Sequence, residues 1–459
     1  MAANWLRVNL ADCAKFQEGY VNPPQTNPDY FDGNIKWLRA VDLNDGYVIS
    51  TTRTLTEKGF LSAGKSALLF EPGTLAISKS GTIGRIGILQ DFMCGNRAVI
   101  NIKVCDEICN RRFIFYVLLK NRAIIENLAI GSVQKNLYTS ELGKLAFSLP
   151  EKSVQDKIAK VLGSIDDKID LNRRINHTLE AMAQAIFKSW FVDFDPVKAK
   201  IAAIEQGEDP IRAAMRAISG KTDAELDQMP PEHHDQLAAT AALFPGAMEE
   251  SELGEIPKGW EVSTIGELVE IAGGATPDTK NESYWNPPEY FWTSPKDLSG
   301  AQSPVLLTTE RKISTAGLSR IGSGLLPKGT LLMSSRAPIG YLAITQIPVA
   351  INQGYIAMLP GGKLPPLYLL MWCQQNMEEI KGQANGSTFM EISKKAFRPM
   401  LVTNPGSVVL DRFIETVTPL FGKLAEGVKE SSQLAKLRDT LLPKLLSGEL
   451  SVADVEIPA

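Results

Sequence analysis

The stretch Val154–Trp190, VQDKIAKVLGSIDDKIDLNRRINHTLEAMAQAIFKSW, decides how the rest of the chain is read. Apolar residues recur at Ile158, Val161, Leu162, Ile165, Ile169, Ile175, Leu179, Met182 and Ile186, mostly three or four apart. That spacing gathers them on one face of a helix. After Gly163 neither Pro nor Gly interrupts the run. A rod of this length, about 55 Å, cannot bury its own stripe and so requires a partner helix. Asn172 and Asn176 fall near the seam, where buried amides lower stability but fix register. A second stripe closes the chain from about Val409 to Leu446, through Phe413, Val417, Leu420, Leu424, Val428, Leu434, Leu437, Leu441 and Leu445. Pro419, Gly427 and Pro443 predict that this second rod is the less regular one.

Working outward, the segments ahead of the two rods repeat at an offset of about 255 residues. Asn4-Trp5 matches Gly259-Trp260, and Trp37 in IKWL matches Trp292 in YFWT. SKSGTIGRIGI (Ser78–Ile88) matches SSRAPIGYLAI (Ser334–Ile344), and Asn96-Arg97 matches Asn352-Gln353. Gly131-Ser132 matches Gly386-Ser387, and Pro150 matches Pro405. Six matches in one order, each half then running into its rod, indicate a duplicated module. Within each module short strands bounded by Gly and Pro, such as GTLAIS (Gly73–Ser78) and GTLLMS (Gly329–Ser334), predict a mixed α/β (α+β) fold. Phe113–Ala129 and Leu367–Gly382 read as one helix at the same place in each. The expected boundaries are modules at 1–150 and 256–406, rods at 151–195 and 407–450, and a tail at 451–459. The rods are expected to pair antiparallel, like a coiled coil. The remaining segment, 196–255, is Ala-rich, acidic and broken at Pro210, Pro230 and Pro245. It reads as a compact helical connector in which Leu226, Leu237, Leu243 and Phe244 can dock.

The chain has 459 residues, 44% hydrophobic and 22% charged, with a net charge of −4. The acidity is local. Residues 1–150 carry 17 Lys/Arg against 13 Asp/Glu, residues 256–405 carry 13 against 11, and residues 201–255 carry 3 against 12. Two mildly basic modules are compatible with DNA. Five scattered cysteines (Cys13, Cys94, Cys105, Cys109, Cys373) and only three histidines, all beyond residue 176, point to free thiols rather than a zinc site. His233-His234 is read as a solvated loop pair. No apolar run reaches the roughly 18–20 residues of a membrane span, and no signal-peptide pattern opens the chain, so a cytoplasmic location is expected.

No catalytic constellation assembles. Gly81, Gly84 and Gly87 do not open a helix, and no P-loop is present. Asn286-Pro287-Pro288-Glu289, with its near-equivalent Asn22-Pro23-Pro24-Gln25, resembles the loop with which DNA amino-methyltransferases hold a flipped base. It lacks the stacking aromatic and any glycine-rich cofactor loop, so turn prolines are the better reading, and no cofactor or metal is expected. What remains is recognition chemistry. Ser78, Lys79, Ser80, Thr82 and Arg85 interleave cations and hydroxyls on a glycine-rich loop able to approach phosphates and base edges. Ser334, Ser335 and Arg336 are its counterpart. Asn96, Arg97, Asn352 and Gln353 are candidates for bidentate base contacts. Gln134, Lys135, Asn136 and Tyr138 lie on a polar loop, and Lys394 follows the corresponding loop of the second half. A stand-alone methyltransferase and a protein-binding adaptor with dimerising rods are the rival readings.

The central run Gln155–Pro196 (QDKIAKVLGSIDDKIDLNRRINHTLEAMAQAIFKSWFVDFDP), SELGEIPKGW (Ser251–Trp260) and LRDTLLPKLLSGEL (Leu437–Leu450) resemble the specificity subunits of Type I restriction–modification enzymes. The resemblance covers essentially the whole chain. It implies two target-recognition domains that each read half of a bipartite double-stranded DNA target, spaced by two antiparallel helices. It further implies a non-catalytic subunit whose helices seat two modification (methyltransferase) subunits, with restriction subunits joining the complex. Trp190, Phe191 and Phe194, an aromatic cluster at the end of the first rod, are candidate anchors for those partners, or else are buried against a module of the same chain. If the rods set the distance between half-sites, inserting four residues near Asn172, about 6 Å of helix, lengthens the unread spacer by roughly one or two base pairs. Methylation mapping of the variant should show both half-sites unchanged; an unchanged spacer refutes the ruler.

Overall fold

The computed structural model describes residues 5–131, 135–336, 338–386 and 390–452. The chain divides into two compact units, residues 1–170 with 431–459, and residues 171–430. Helix α1 (Lys152–Phe191, 40 residues) and helix α2 (Ser407–Ser447, 41 residues) each contribute to both. Within each unit the two helices run antiparallel. Asp166 meets Arg438 in the first unit, and Asn172, Asn176 and Phe187 meet Glu430, Gly427 and Phe413 in the second. The second helix is more regular than its prolines imply. Pro419 and Pro443 lie inside a continuous helix because its apolar face, including Phe413, Val417, Leu424, Leu442 and Leu445, is buried along the run. Asn172 donates to Glu430 at 2.7 Å. Among the described residues the buried Asn176 carbonyl has no hydrogen-bond partner, and a Cβ at Gly427 would lie 2.6 Å from it. Gly427 therefore makes room for the amide rather than weakening the helix by accident.

Both units carry the same sheet. In the first, strands Ala14–Glu18, Val99–Val104, Leu75–Ser78, Ile86–Leu89 and Gly46–Val48 lie side by side in that order, three antiparallel pairings and then one parallel. In the second, Ile271–Ala272, Tyr355–Met358, Leu331–Ser334, Leu342–Thr345 and Val305–Leu306 repeat both the order and the sense of every pairing. A smaller sheet is also repeated. Phe31–Leu38 pairs antiparallel with Thr54–Leu55 and parallel with Met93–Gly95, and Tyr290–Thr293 pairs the same way with Arg311–Ile313 and Ala350–Ile351. The duplication read from scattered matches is thus a duplication of topology.

The helix expected at the same place in each module is two helices in both. Arg111–Lys120 and Arg122–Asn127 are separated at Asn121, and Pro366–Gln375 and Met377–Gly382 at Asn376. The Asn121 amide donates to the Val117 carbonyl at 2.7 Å, and the Asn376 amide to that of Trp372 at 2.9 Å. This local bond competes with the main-chain ladder and ends the first helix. Each first helix is buried between its sheet and the long helices. Phe113, Tyr116 and Val117 pack with Ile158, Leu162, Leu442 and Leu445, while Tyr368 and Trp372 share a core with Phe187, Phe413 and Val417.

The connector is helical, as its breaks imply: Asp195–Gln206, Pro210–Ser219, Asp223–Asp227 and Pro231–Ala242. Pro210 and Pro231 open their helices, where a missing N–H costs nothing. Leu226 and Phe244 are buried. His233 and His234 lie in the first turn of the last of these helices, not in a loop. Among the described residues no cluster of metal-ligating side chains occurs, and no helix is long and apolar enough to cross a membrane.

The first unit is tied to both long helices through Asp166. Its carboxylate accepts from the Arg438 guanidinium at 2.9 Å and from the Tyr116 hydroxyl at 2.5 Å. Next to it Arg112 pairs with Asp167, which also accepts from Tyr47 at 2.9 Å. Burial, reinforced by the hydrogen bond to Asp167, pushes the Tyr47 phenol up to about 12. Asp166→Ala leaves a buried phenol without its partner and a largely buried guanidinium with only Asp439. It is expected to cost about 2–4 kcal/mol, read as a lower midpoint in thermal unfolding; a change within ±0.5 kcal/mol would rule out this anchoring role.

Candidate nucleic-acid interface

In both units the loop after the third strand of the large sheet is closed by a buried serine. The Ser78 hydroxyl donates to the Thr82 carbonyl at 2.5 Å and accepts from the Arg85 amide at 2.9 Å. The Ser334 hydroxyl donates to the Pro338 carbonyl at 2.8 Å and accepts from the Tyr341 amide at 2.8 Å. Gly84 (φ 85°) and Gly340 (φ 104°) turn the chain back beside them in the left-handed region that favours glycine. The loop main chain then ties into two neighbours. Lys79 donates from its amide to Ala98 and accepts from Leu137, both at 2.8 Å. Ser335 does the same with Gly354 at 2.8 Å and Ile392 at 3.0 Å. The turns at Asn96 and Asn352 are held by their own side chains, which accept from the amides of Ala98 (3.0 Å) and Gly354 (2.8 Å).

The fold thus brings Lys79, Ser80, Asn96, Arg97, Lys135, Asn136 and Tyr138 to one loop cluster, and Ser335, Arg336, Asn352 and Gln353 to its counterpart. Thr82 and Arg85 sit at the far end of the first loop, both exposed. Lys394 is exposed and lies against Gly273. Gln134 lies outside the described residues. Electrostatically the cluster is not uniform. Lys79 pairs with Glu18 at 2.7 Å and Arg336 with Glu391 at 3.6 Å. Arg85, Arg97 and Lys135 are exposed and show no ion pair among the described residues.

Beside each cluster, the smaller sheet presents cations on aromatic rings. Arg53 lies 3.8 Å over the Phe31 ring, and Arg311 lies 3.4 Å over that of Trp285. Arg39 approaches Trp37, Lys58 Tyr30, Lys312 Phe291 and Arg320 Tyr284 at 4.4–5.6 Å. The rings are fixed in turn. The indole N–H of Trp37 donates to Val21 at 2.8 Å and that of Trp292 to Ala275 at 3.2 Å. Basic side chains interleaved with aromatics on a rigid sheet suit a nucleic-acid surface.

A model for the Type I restriction modification DNA specificity domain matches residues 3–181 and 257–405, the two halves just described. The chain belongs to this family. It is 32% identical over 358 residues to the HindI Type I restriction enzyme specificity subunit of Haemophilus influenzae, covering 74% of this chain and 77% of that one. It is 24% identical to the MjaIX specificity subunit of Methanocaldococcus jannaschii, over 95% and 91% of the two chains. Its fold matches the crystal structure of the Type I system S subunit from M. genitalium, with a TM-score of 0.50, 16% identity and 96% of both chains covered. The protein is therefore a DNA-sequence specificity subunit of a Type I restriction–modification system.

For a specificity subunit, several expected contacts need correcting. Ser78 and Ser334 are fully buried, and their hydroxyls are spent on their own loops, so they hold these loops in shape and have no donor left to offer a ligand. Ser335 is buried too, its hydroxyl turned toward Glu391 at 3.4 Å. Trp190 and Phe191 are 2% and 6% exposed within their own unit, packed on Phe244, Trp260, Tyr368 and Phe413, and have no face left for another subunit. Phe194, half-buried, rests on Trp260 at 5.8 Å. The Pro-Pro loop is scaffold as well. Glu289 accepts from the Thr315 hydroxyl (2.7 Å) and amide (2.8 Å), which hold its carboxyl below the usual range. Gln25 accepts from Arg53 at 2.8 Å. The stacked arginines went unread because they repeat at an offset of 258, three residues beyond that of their neighbours. R-T-L-T-E-K-G (Arg53–Gly59) against R-K-I-S-T-A-G (Arg311–Gly317) is the signal. Trp190→Ala opens a core cavity and is expected to cost about 3–5 kcal/mol, seen as a lower melting midpoint of the isolated chain; an unchanged midpoint with weaker subunit assembly would restore the interface reading.

Proposed function

We propose that each recognition domain reads one half of a bipartite duplex target, with an unread spacer between, and that the two half-sites differ in sequence. The observation that carries this is the pair of loop clusters built on one topology with different side chains: Lys79, Arg97 and Tyr138 in one, Arg336 and Gln353 in the other. Equivalent scaffolds supply equivalent approaches to the groove, while unlike side chains supply unlike hydrogen-bond codes. The part played by this chain is recognition. Methyl transfer and cleavage belong to modification and restriction subunits that assemble with it, two modification subunits matching two recognition domains. Much of the affinity then comes from phosphate contacts made by those partners, because the domains themselves are only mildly basic.

Methylation mapping of the assembled complex tests this reading. Two short, unlike half-sites at fixed separation are expected, and a single continuous motif would exclude it. Lys135, exposed and with no ion pair among the described residues, offers a finer test. Lys135→Ala is expected to weaken binding about threefold to tenfold at low salt and to reduce the slope of log affinity against log salt by about 0.9, without altering the methylated motif. Titration at several salt concentrations gives both quantities; identical curves for the variant and the native complex would remove this loop from the interface.

A further inference from the structure

The two stacked arginines occupy the same register position of a repeated frame. Trp37 and Trp292 correspond, and each has an arginine directly across the sheet: the Trp37 amide donates to the Arg53 carbonyl at 3.3 Å, and Trp292 is paired with Arg311. The frame beyond them also repeats. Thr56 and Ser314 cap the following short helix through the amides of Gly59 and Gly317, both at 3.1 Å. A Cβ on either glycine would lie 2.2 Å from the carbonyl oxygen of Tyr30 or Tyr284. The helix therefore sits tightly on the chain that leads to the supporting aromatic. That ring is buried in both units: Phe31 is packed on Trp37 at 5.9 Å, and Trp285 on Trp292 at 5.3 Å.

The guanidinium groups are thus oriented before any ligand arrives, yet among the described residues neither is neutralised by a carboxylate. Glu310, next to Arg311, is taken by Lys296 at 2.8 Å. Arg53 gives one N–H to the neutral amide of Gln25 at 2.8 Å. Arg53 is half-buried and Arg311 is exposed. A planar cation fixed by stacking, with donors left over, loses little freedom when it binds. Its fork matches the O6 and N7 acceptors of guanine in the major groove. A lysine at the same place would neutralise a phosphate as well, but it would gain nothing from the flat support that both units retain.

We propose that Arg53 and Arg311 are specificity-determining residues, each donating to the O6/N7 edge of one guanine, Arg53 in one half-site and Arg311 in the other. The inference rests on the two-half-site reading and names the donors within it. The test uses the complete complex with its modification subunits, mapping methylated sites for the native chain, Arg53→Lys and Arg311→Lys. Lysine keeps the charge and the aliphatic stem, so the sheet is retained; melting curves check this, and Arg53→Ala and Arg311→Ala serve as a second pair. Each lysine variant is expected to relax one G·C position in one half-site, with discrimination there falling roughly tenfold to a hundredfold and the other half-site unchanged. A motif left intact while binding weakens at every site and the salt slope falls would make the arginines phosphate contacts and overturn the proposal. So would an intact motif with only a lowered melting temperature. A native motif that is continuous would refute the two-half-site reading itself, whereas a two-part native motif unmoved by either variant refutes only the assignment to these arginines.

Discussion

A helix of 40 residues with one apolar face presents more hydrocarbon than water tolerates, and each unit meets that constraint in the same way. A stretch of α1, an antiparallel stretch of α2 and the first helix of a recognition domain share a single core. In the first unit the closure is part ionic, with Asp166 between Arg438 and Tyr116. In the second it is aromatic, with Phe187, Trp190, Phe191, Tyr368 and Phe413 in mutual contact. The recognition domains are therefore not appended to the helices; they supply the surface without which the helical stripe would be exposed. The helical connector takes part in the same closure, through Phe244 on Trp190 at 5.1 Å.

The parts legible in the sequence are those governed by periodicity or by repetition. The apolar stripe from Ile158 to Ile186 gave the first helix almost to its ends, and the 255-residue offset marked strands that take the same place in both large sheets. Interruptions were misjudged in both directions. Pro419 and Pro443 were weighed by intrinsic propensity, whereas burial of α2 decides the outcome. Asn121 and Asn376 looked unremarkable, yet each ends a helix by bonding back to a carbonyl four residues earlier.

Site residues were legible as segments and not as individuals. The loops after Ser78 and Ser334 and the turns at Asn96 and Asn352 do converge. Which hydroxyl faces inward cannot be read from a polar loop, because burial of Ser78 and Ser334 is set by hydrogen bonds to residues four and seven positions later. Aromatic clustering misled for a related reason. Trp190 and Phe191 have the composition of an interface, but Trp260, Tyr368 and Phe413, far away in sequence, cover them. The stacked arginines escaped because three extra residues in the second half shift them out of the common offset.

The serine closure of the loops after Ser78 and Ser334 has a consequence for how such a protein changes over generations. One hydroxyl and a handful of main-chain bonds hold each loop at its two ends, so the frame makes few demands on the side chains between them. Ser80, Thr82 and Ile83 stand where Arg336, Pro338 and Ile339 stand in the other half, and the closing bonds are the same. Heritable variation can therefore accumulate inside the loop while the sheet beneath it keeps its register. If these loops carry the proposed contacts, a new target can be learned there without disturbing the core that keeps the chain folded.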